Sequence, residues 1–266
     1  MTTTTPAHPV MNFYGFLRMP FDKDFESSQA FGSPSLANTV AMLSLGVESE
    51  DILLVSGPIG SGKSVALRSF IAALDPNRFS PIYLRGLGLS AADLVKSILL
   101  SLLVDPPYNY AKARALYFKS ISEHPRKPVV AIDDAQDMKE SALLSVKNLV
   151  NFDSDSKSKI TFVLCGQPEL KETLRYSRLA SVHQRIRHWV EFSALSLKDS
   201  CAYIDHAVAH AGRPSPIFSD NAKAEIHKRS LGIPRRINRV CLRTLFEGAA
   251  QGRTIIDEAD VVSDEV

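Results

Sequence analysis

The stretch DILLVSGPIGSGKSVALRSFIAAL, Asp51 to Leu74, decides how the rest of this chain is read. Gly57, Gly62, Lys63 and Ser64 fit the spacing G-x-x-x-x-G-K-[ST], with Pro58, Ile59, Gly60 and Ser61 between the glycines and Val65 directly after. An apolar β-type run, Ile52 to Val55, precedes the motif. Val65, Leu67, Phe70, Ile71 and Leu74 follow it at helical spacing. Glycines let successive backbone N–H groups turn inward around an anion, and the positive end of the next helix adds to the attraction. In such a loop the lysine, Lys63, bridges phosphate oxygens and the Ser64 hydroxyl holds Mg²⁺. An incidental lysine in a Gly-rich turn does not explain strand, loop and helix arriving together. The segment predicts a nucleoside triphosphate site.

A second anchor lies 70 positions beyond Lys63, at Val129-Val-Ala-Ile-Asp133-Asp134. Four apolar residues ending in an acid fit a strand buried on both faces. Such a strand delivers its carboxylates at the C-terminal sheet edge, where nucleotides bind in open α/β sheets. Asp133 is expected to orient the Mg²⁺ shell and Asp134 to polarise the attacking water. By itself the hexapeptide reads as an ordinary core strand with a solvated turn; the P-loop changes that balance. Another strand, Ile160 to Cys165, ends in Gly166-Gln167. Gln167 thus reaches the same edge, to sense the γ-phosphate or the water, or else to cap the helix Pro168 to Leu174.

At 266 residues, with 45% hydrophobic and 23% charged residues, the chain can bury a real core. Its net charge of +2 conceals an asymmetry: residues 171–243 hold 14 Lys/Arg against 6 Asp/Glu, whereas the last ten residues carry acids and no base. That permits a polyanion partner. Cys165, Cys201 and Cys241 lie far apart in apolar patterns and read as small buried residues of a reducing compartment. No apolar run approaches the ~18 residues of a membrane span, and Met1 to Val10 has no signal-peptide character. The expected location is cytoplasmic.

Around these anchors the chain divides into a tail and aromatic entry (residues 1–34), an αβ nucleotide-binding part (35–194) and a helical part (195–266). The entry, Phe13-Tyr-Gly-Phe16 with Pro20-Phe21 and Phe25, is a packing strip, a wall for the nucleotide base, or both. Ser35 to Val47 is helical, with Leu36, Val40, Leu43 and Val47 on one stripe. Pro81 to Leu84 reads as a short buried strand and Trp189 to Phe192 as the last one. Ser90 to Asp93 is a capping box opening a helix with Leu94, Val95, Ile98, Leu99, Leu102 and Leu103 inward; Lys112 to Glu123 is another helix. Further helices start at Ser196, at Ser219 and at Gly232 to Arg235, and Asp257 caps a last short one. His206 and His210 have the spacing of a metal pair, without a third ligand; a surface or packing pair is the expectation. Arg235, Arg239 and Arg243 share a helical face, either a solvated stripe or a set of phosphate, partner or DNA contacts.

The ordered set GPIGSGKS, AIDDAQ, LCGQPEL, Gln184-Arg-Ile186 and Gly232 to Asn238 (GIPRRIN), after the Phe13 to Phe25 entry, resembles the AAA+ ATPases. It is most similar to their ExeA-like branch, which includes the ATPase subunits of Mu-like, Tn5053-like and Tn7-like transposons (Mu B protein, TniB, TnsC). The resemblance implies an α/β three-layer sandwich with a parallel central sheet and a small C-terminal α-helical lid, binding ATP and Mg²⁺. It implies that Gln167 is sensor 1 and Arg235 sensor 2. Arg185, just before the last strand, would be the arginine finger reaching a neighbouring subunit, with Arg187 the runner-up. Hydrolysis would then await assembly into a homo-oligomer, ring or helical filament. Many AAA+ proteins carry Glu where this chain has Asp134. Asp is one methylene shorter, so slow turnover is expected.

The leading expectation is an ATPase that oligomerises on double-stranded DNA with ATP and hands target DNA to a transposase. Its binding would be sequence-indifferent and salt-sensitive, with Arg239 and Arg243 as candidate contacts. The runner-up is the secretion-type ATPase of the same branch. Such proteins usually continue into a transmembrane segment and a cell-wall-binding domain, and the sequence reaches Val266 with neither. A third reading, prompted by Asp134, is an ATP-gated scaffold with little hydrolysis.

Overall fold

The computed structural model describes residues 9–21, 31–49, 51–152 and 159–263. In chain order the elements are α1 (Pro9–Tyr14), α2 (Pro34–Ser49), β1 (Ile52–Ser56), α3 (Lys63–Ala73), β2 (Phe79–Arg85), α4 (Ala91–Ser101), α5 (Tyr110–Glu123) and β3 (Lys127–Asp133). They continue with α6 (Glu140–Leu149), β4 (Thr161–Gly166), α7 (Pro168–Leu174), α8 (Ala180–His183), β5 (Ile186–Glu191), α9 (Leu197–His210), α10 (Asp220–Ser230) and α11 (Pro234–Ala250). The described residues fall into two units. One gathers those of 36–59 and 63–192, and the other those of 1–35, 60–62 and 193–266.

In the first unit the five strands form one sheet in the order β2-β3-β4-β1-β5, every neighbouring pair parallel. β1, β3 and β4 are central and almost wholly buried, which is why their sequences run apolar without alternation. Their side chains nevertheless part with period two. Ile52, Leu54, Val130, Ile132, Phe162 and Leu164 meet α4, α5 and α6 on one face. Leu53, Val55, Val129, Ala131, Val163 and Cys165 meet α2 and α3 on the other. This is an α/β three-layer fold. A truncation such as Leu54→Ala in the central strand is expected to cost about 2–5 kcal/mol, for lost burial and a residual cavity.

Three local expectations need correction here. β2 is not a buried strand: it is a sheet edge, only Phe79 and Ile82 of its seven residues are buried, and Tyr83 is 38% exposed. The last strand starts at Ile186, not Trp189, because Ile52 already pairs with Ile186. Leu103 does not face inward. α4 ends at Ser101, and Leu103 sits at φ +61°, turned out to solvent while Leu94, Val95, Ile98 and Leu99 fill the core. The capping box at Ser90 is formed, with Ser90 Oγ accepting from Asp93 N–H and Asp93 accepting from Ser90 N–H.

The second unit is helical, and the aromatic entry is part of its core. Val10, Tyr14, Phe16 and Phe21 are buried among Ile204, Val208, Phe218, Ile237, Cys241 and Leu245 of the C-terminal helices. Arg213 donates to the Tyr14 carbonyl at 2.6 Å, and Arg18 Nε to the His210 carbonyl at 2.7 Å. The buried rings of Tyr14, Phe16 and Phe21 therefore serve packing. Phe25 and the tail before Pro9 lie outside the described residues. Ser196 and Ser219 accept from the third N–H of α9 and α10, as their positions before each helix require.

Candidate nucleotide site

β1 hands the chain to α3 through Gly57 to Gly62, as the motif requires. Gly57 has to be glycine, since a Cβ there would stand 2.4 Å from the Phe192 carbonyl oxygen. Gly62 takes φ +111°, which side chains oppose. Lys63 opens α3 almost buried, and its ammonium donates to the carbonyls of Gly57 at 2.7 Å and Pro58 at 2.8 Å. Ser61 is 3% exposed and its hydroxyl has no hydrogen-bond partner among the described residues. Ser64 and Val65 are half-buried in the first turn of α3, and Ile59 is exposed. A cation held by loop carbonyls fits a polyphosphate, which would offer it stronger acceptors.

Asp133 is the last residue of β3 and is 6% exposed. Its Oδ2 accepts the Tyr83 hydroxyl at 2.7 Å and its Oδ1 accepts Asp134 N–H at 3.0 Å. Burial first, and then this hydrogen bond, push the Tyr83 phenol well above its usual range, so tyrosine remains the donor. Burial, followed by the charge of Asp133, also raises the Cys165 thiol of neighbouring β4, which keeps it a neutral core group. A carboxylate fixed through both oxygens, with lone pairs to spare, suits the water shell of a Mg²⁺ ion shared with Ser64. Bound ATP and Mg²⁺ would supply the scissile phosphoanhydride and neutralise its charge.

Asp134 leaves the strand. It sits at φ +51°, a left-handed conformation that Asp adopts more readily than most residues, and its side chain is exposed. Gly86 lies against it so closely that a Cβ would stand 2.3 Å from the Asp134 carbonyl oxygen. Gln167 precedes α7 at the N-cap position, yet its side chain makes no cap hydrogen bond. Lys63, Asp133, Asp134 and Gln167 thus stand at the strand-ending edge of one sheet.

Arg185 stands at the other edge. Ile186 pairs with Ile52 at the start of β1; Arg185 donates to Asn151 Oδ1 at 3.2 Å and lies 3.9 Å from Asp51 Oδ2. Arg187 is exposed on β5. In the helical unit, Arg235, Arg239 and Arg243 are exposed along α11, whose other side buries Ile237, Val240, Cys241, Thr244 and Leu245. Arg235 N–H donates to the Gly60 carbonyl at 3.2 Å, both residues belonging to that unit.

The His206 and His210 rings stack 6.1 Å apart at 4°, and burial, then His210, lowers the pKa of His206. Among the described residues no group of three His, Cys, Asp or Glu could hold a metal ion, and no helix is long and apolar enough to cross a membrane. Sequence reasoning missed Tyr83 and Gln136. The first is invisible without the β2–β3 register, whereas the second lay in the quoted AIDDAQ motif.

Residues 47–174 match the model of the AAA domain. The chain is 30% identical over 257 residues to general secretion pathway protein A of Aeromonas hydrophila, covering 94% of this chain and 46% of that protein. It thus spans about half the length of this curated relative. Among solved structures, Cdc6p of Pyrobaculum aerophilum superposes with a TM-score of 0.68 at 17% identity, covering 89% of this chain and 67% of that one. ORC2 of Aeropyrum pernix gives 0.61 at 13%, covering 90% and 69%. The RuvB Holliday junction branch migration motor of Thermotoga maritima gives 0.53 at 17%, covering 84% and 66%. At these identities the structures speak for the fold alone.

Proposed function

We propose that this chain, whose residues 47–174 match the model of the AAA domain, binds ATP with Mg²⁺ and hydrolyses it slowly, as a switch that a neighbouring copy completes. The observation that carries this reading is the gathering of Lys63, Asp133, Asp134 and Gln167 at one sheet edge, with Arg185 at the opposite edge. Lys63 and the backbone of Gly57 to Gly62 hold the phosphates. Ser64 and Asp133 hold Mg²⁺, Asp134 accepts a hydrogen bond from the attacking water, and Gln167 and Arg235 sense the γ-phosphate. Arg185 serves a second subunit, where its charge counters the charge that develops on the transferring phosphoryl group. Measuring phosphate release against protein concentration tests this. Turnover per chain that rises steeply with assembly supports it, and turnover independent of concentration overturns the shared site.

The setting we favour is DNA transposition, in which the ATP-bound assembly grips double-stranded DNA and presents it to a transposase. The ordered motifs and the basic 171–243 region, with Arg239 and Arg243 exposed on α11, support it. One chain offers few phosphate contacts; an assembly multiplies them along one duplex, so binding should be ATP-dependent, cooperative and strongly salt-sensitive. A second reading, energy coupling in secretion, has its own observation: the 30% identity to general secretion pathway protein A. Fluorescence anisotropy on a random-sequence duplex, with ATP, with ADP and without nucleotide, separates the two. Protein that assembles yet binds no DNA in any state favours secretion.

A further inference from the structure

One side-chain amide ties two parts of the candidate site together. Gln136 lies in a short 3₁₀ turn, Ala135–Asp137, directly after Asp134. Its Oε1 accepts the backbone N–H of Gln167 at 3.1 Å, from a position 31 residues away. Its Nε2 donates to Asp134 Oδ1 at 3.3 Å and to Asp137 Oδ2 at 3.2 Å. The surroundings fix which amide atom is which. A backbone N–H can only donate and carboxylates can only accept, so the flipped amide would lose all three hydrogen bonds. The fold makes room for this link, because a Cβ on Gly166 would stand 2.9 Å from Gln136 Oε1 and 2.7 Å from Leu170 Cδ2.

Asp134 is exposed on a left-handed turn, and an exposed carboxylate on such a turn samples several rotamers. A donor that is itself anchored to the end of a buried strand narrows that choice. Resting on the reading of Asp134 as the group that polarises the water, we propose that Gln136 is a positioning residue: it holds the Asp134 carboxylate in register with the end of β4, so that a shift of the chain at Gln167 is passed to Asp134. A state change sensed at Gln167 thereby reaches Asp134 through one side chain.

The test uses the full chain, assembled, with ATP and Mg²⁺. Gln136→Ala is expected to lower kcat about tenfold while ATP affinity by calorimetry changes less than about twofold, the signature of a contact that matters to the reaction rather than to binding. Gln136→Glu keeps the acceptor for Gln167 N–H but replaces the donor with a third carboxylate, and should lose at least as much. In an Asp134→Asn background Gln136→Ala should cost nothing further, because its route of action is already gone. Hydrogen exchange at the Gln167 amide should quicken in Gln136→Ala. Undiminished kcat, an equal loss in both backgrounds, or unchanged exchange at Gln167 would each overturn the proposal. A chain that binds no ATP sinks the nucleotide reading and this assignment with it; a hydrolysing chain indifferent to Gln136→Ala sinks this assignment alone.

Discussion

The two edges of the sheet differ in how their polar groups are satisfied. At the strand-ending edge, hydrogen bonds link the groups to close neighbours: Lys63 to the carbonyls of Gly57 and Pro58, Asp133 to Tyr83 and Asp134, and Gln136 to Asp134 and Gln167. At the strand-starting edge Arg185 has a neutral amide acceptor and a carboxylate at 3.9 Å, a long pairing for a guanidinium that can hold a carboxylate or phosphate bidentately. The five residues of β1 separate these edges by about 17 Å. An arginine side chain cannot cross that distance to its own loop. If Arg185 meets a phosphate, the phosphate belongs to another copy, and the comparison becomes one between a pocket to be completed and a group that completes it.

The largest break in this picture should come from Lys63→Ala. It removes the loop's buried cation, and ATP affinity by calorimetry should fall about 100-fold or more. Unchanged affinity would remove the loop assignment. Next comes Arg185→Ala, which should bind ATP normally yet hydrolyse it about 10³-fold more slowly when assembled. Mixing it with Lys63→Ala sharpens the contrast, since one variant brings an intact pocket and the other an intact arginine. Mixtures that co-assemble without recovering hydrolysis would count against action across an interface.

Asp134→Asn addresses the strand-ending edge alone. Turnover should drop about 10²-fold with ATP affinity intact, because the amide can still meet water but cannot take its proton. Full turnover would place the base elsewhere or leave the water unaided. The smallest effect belongs to Tyr83→Phe. Losing the hydroxyl that donates to Asp133 should lower stability by about 1–2 kcal/mol in urea unfolding while turnover stays measurable. A stability unchanged by this substitution would mean that the hydroxyl adds nothing to holding Asp133.

Chain order alone determined the loop from Gly57 to Ser64, the strand ending in Asp133, the caps at Ser90, Ser196 and Ser219 and the existence of a helical C-terminal part. These depend on hydrogen bonds within a few residues or on a period of two or 3.6, and both are written along the chain. Tertiary structure decided what depends on register and packing. β2 became an open edge rather than a buried strand, and that brought Tyr83 to Asp133 across 50 positions. The turn at Asp134 brought Gln136 to Gln167 across 31. The aromatic entry went into the core of the helical unit, and Leu103, apolar and at helical spacing, ended outside once α4 had stopped. The reason is common to all four: a sequence records which residues want burial or a partner. Which partner each one meets is fixed by strand order, by register and by where an element ends, and these are settled by all the packed surfaces together.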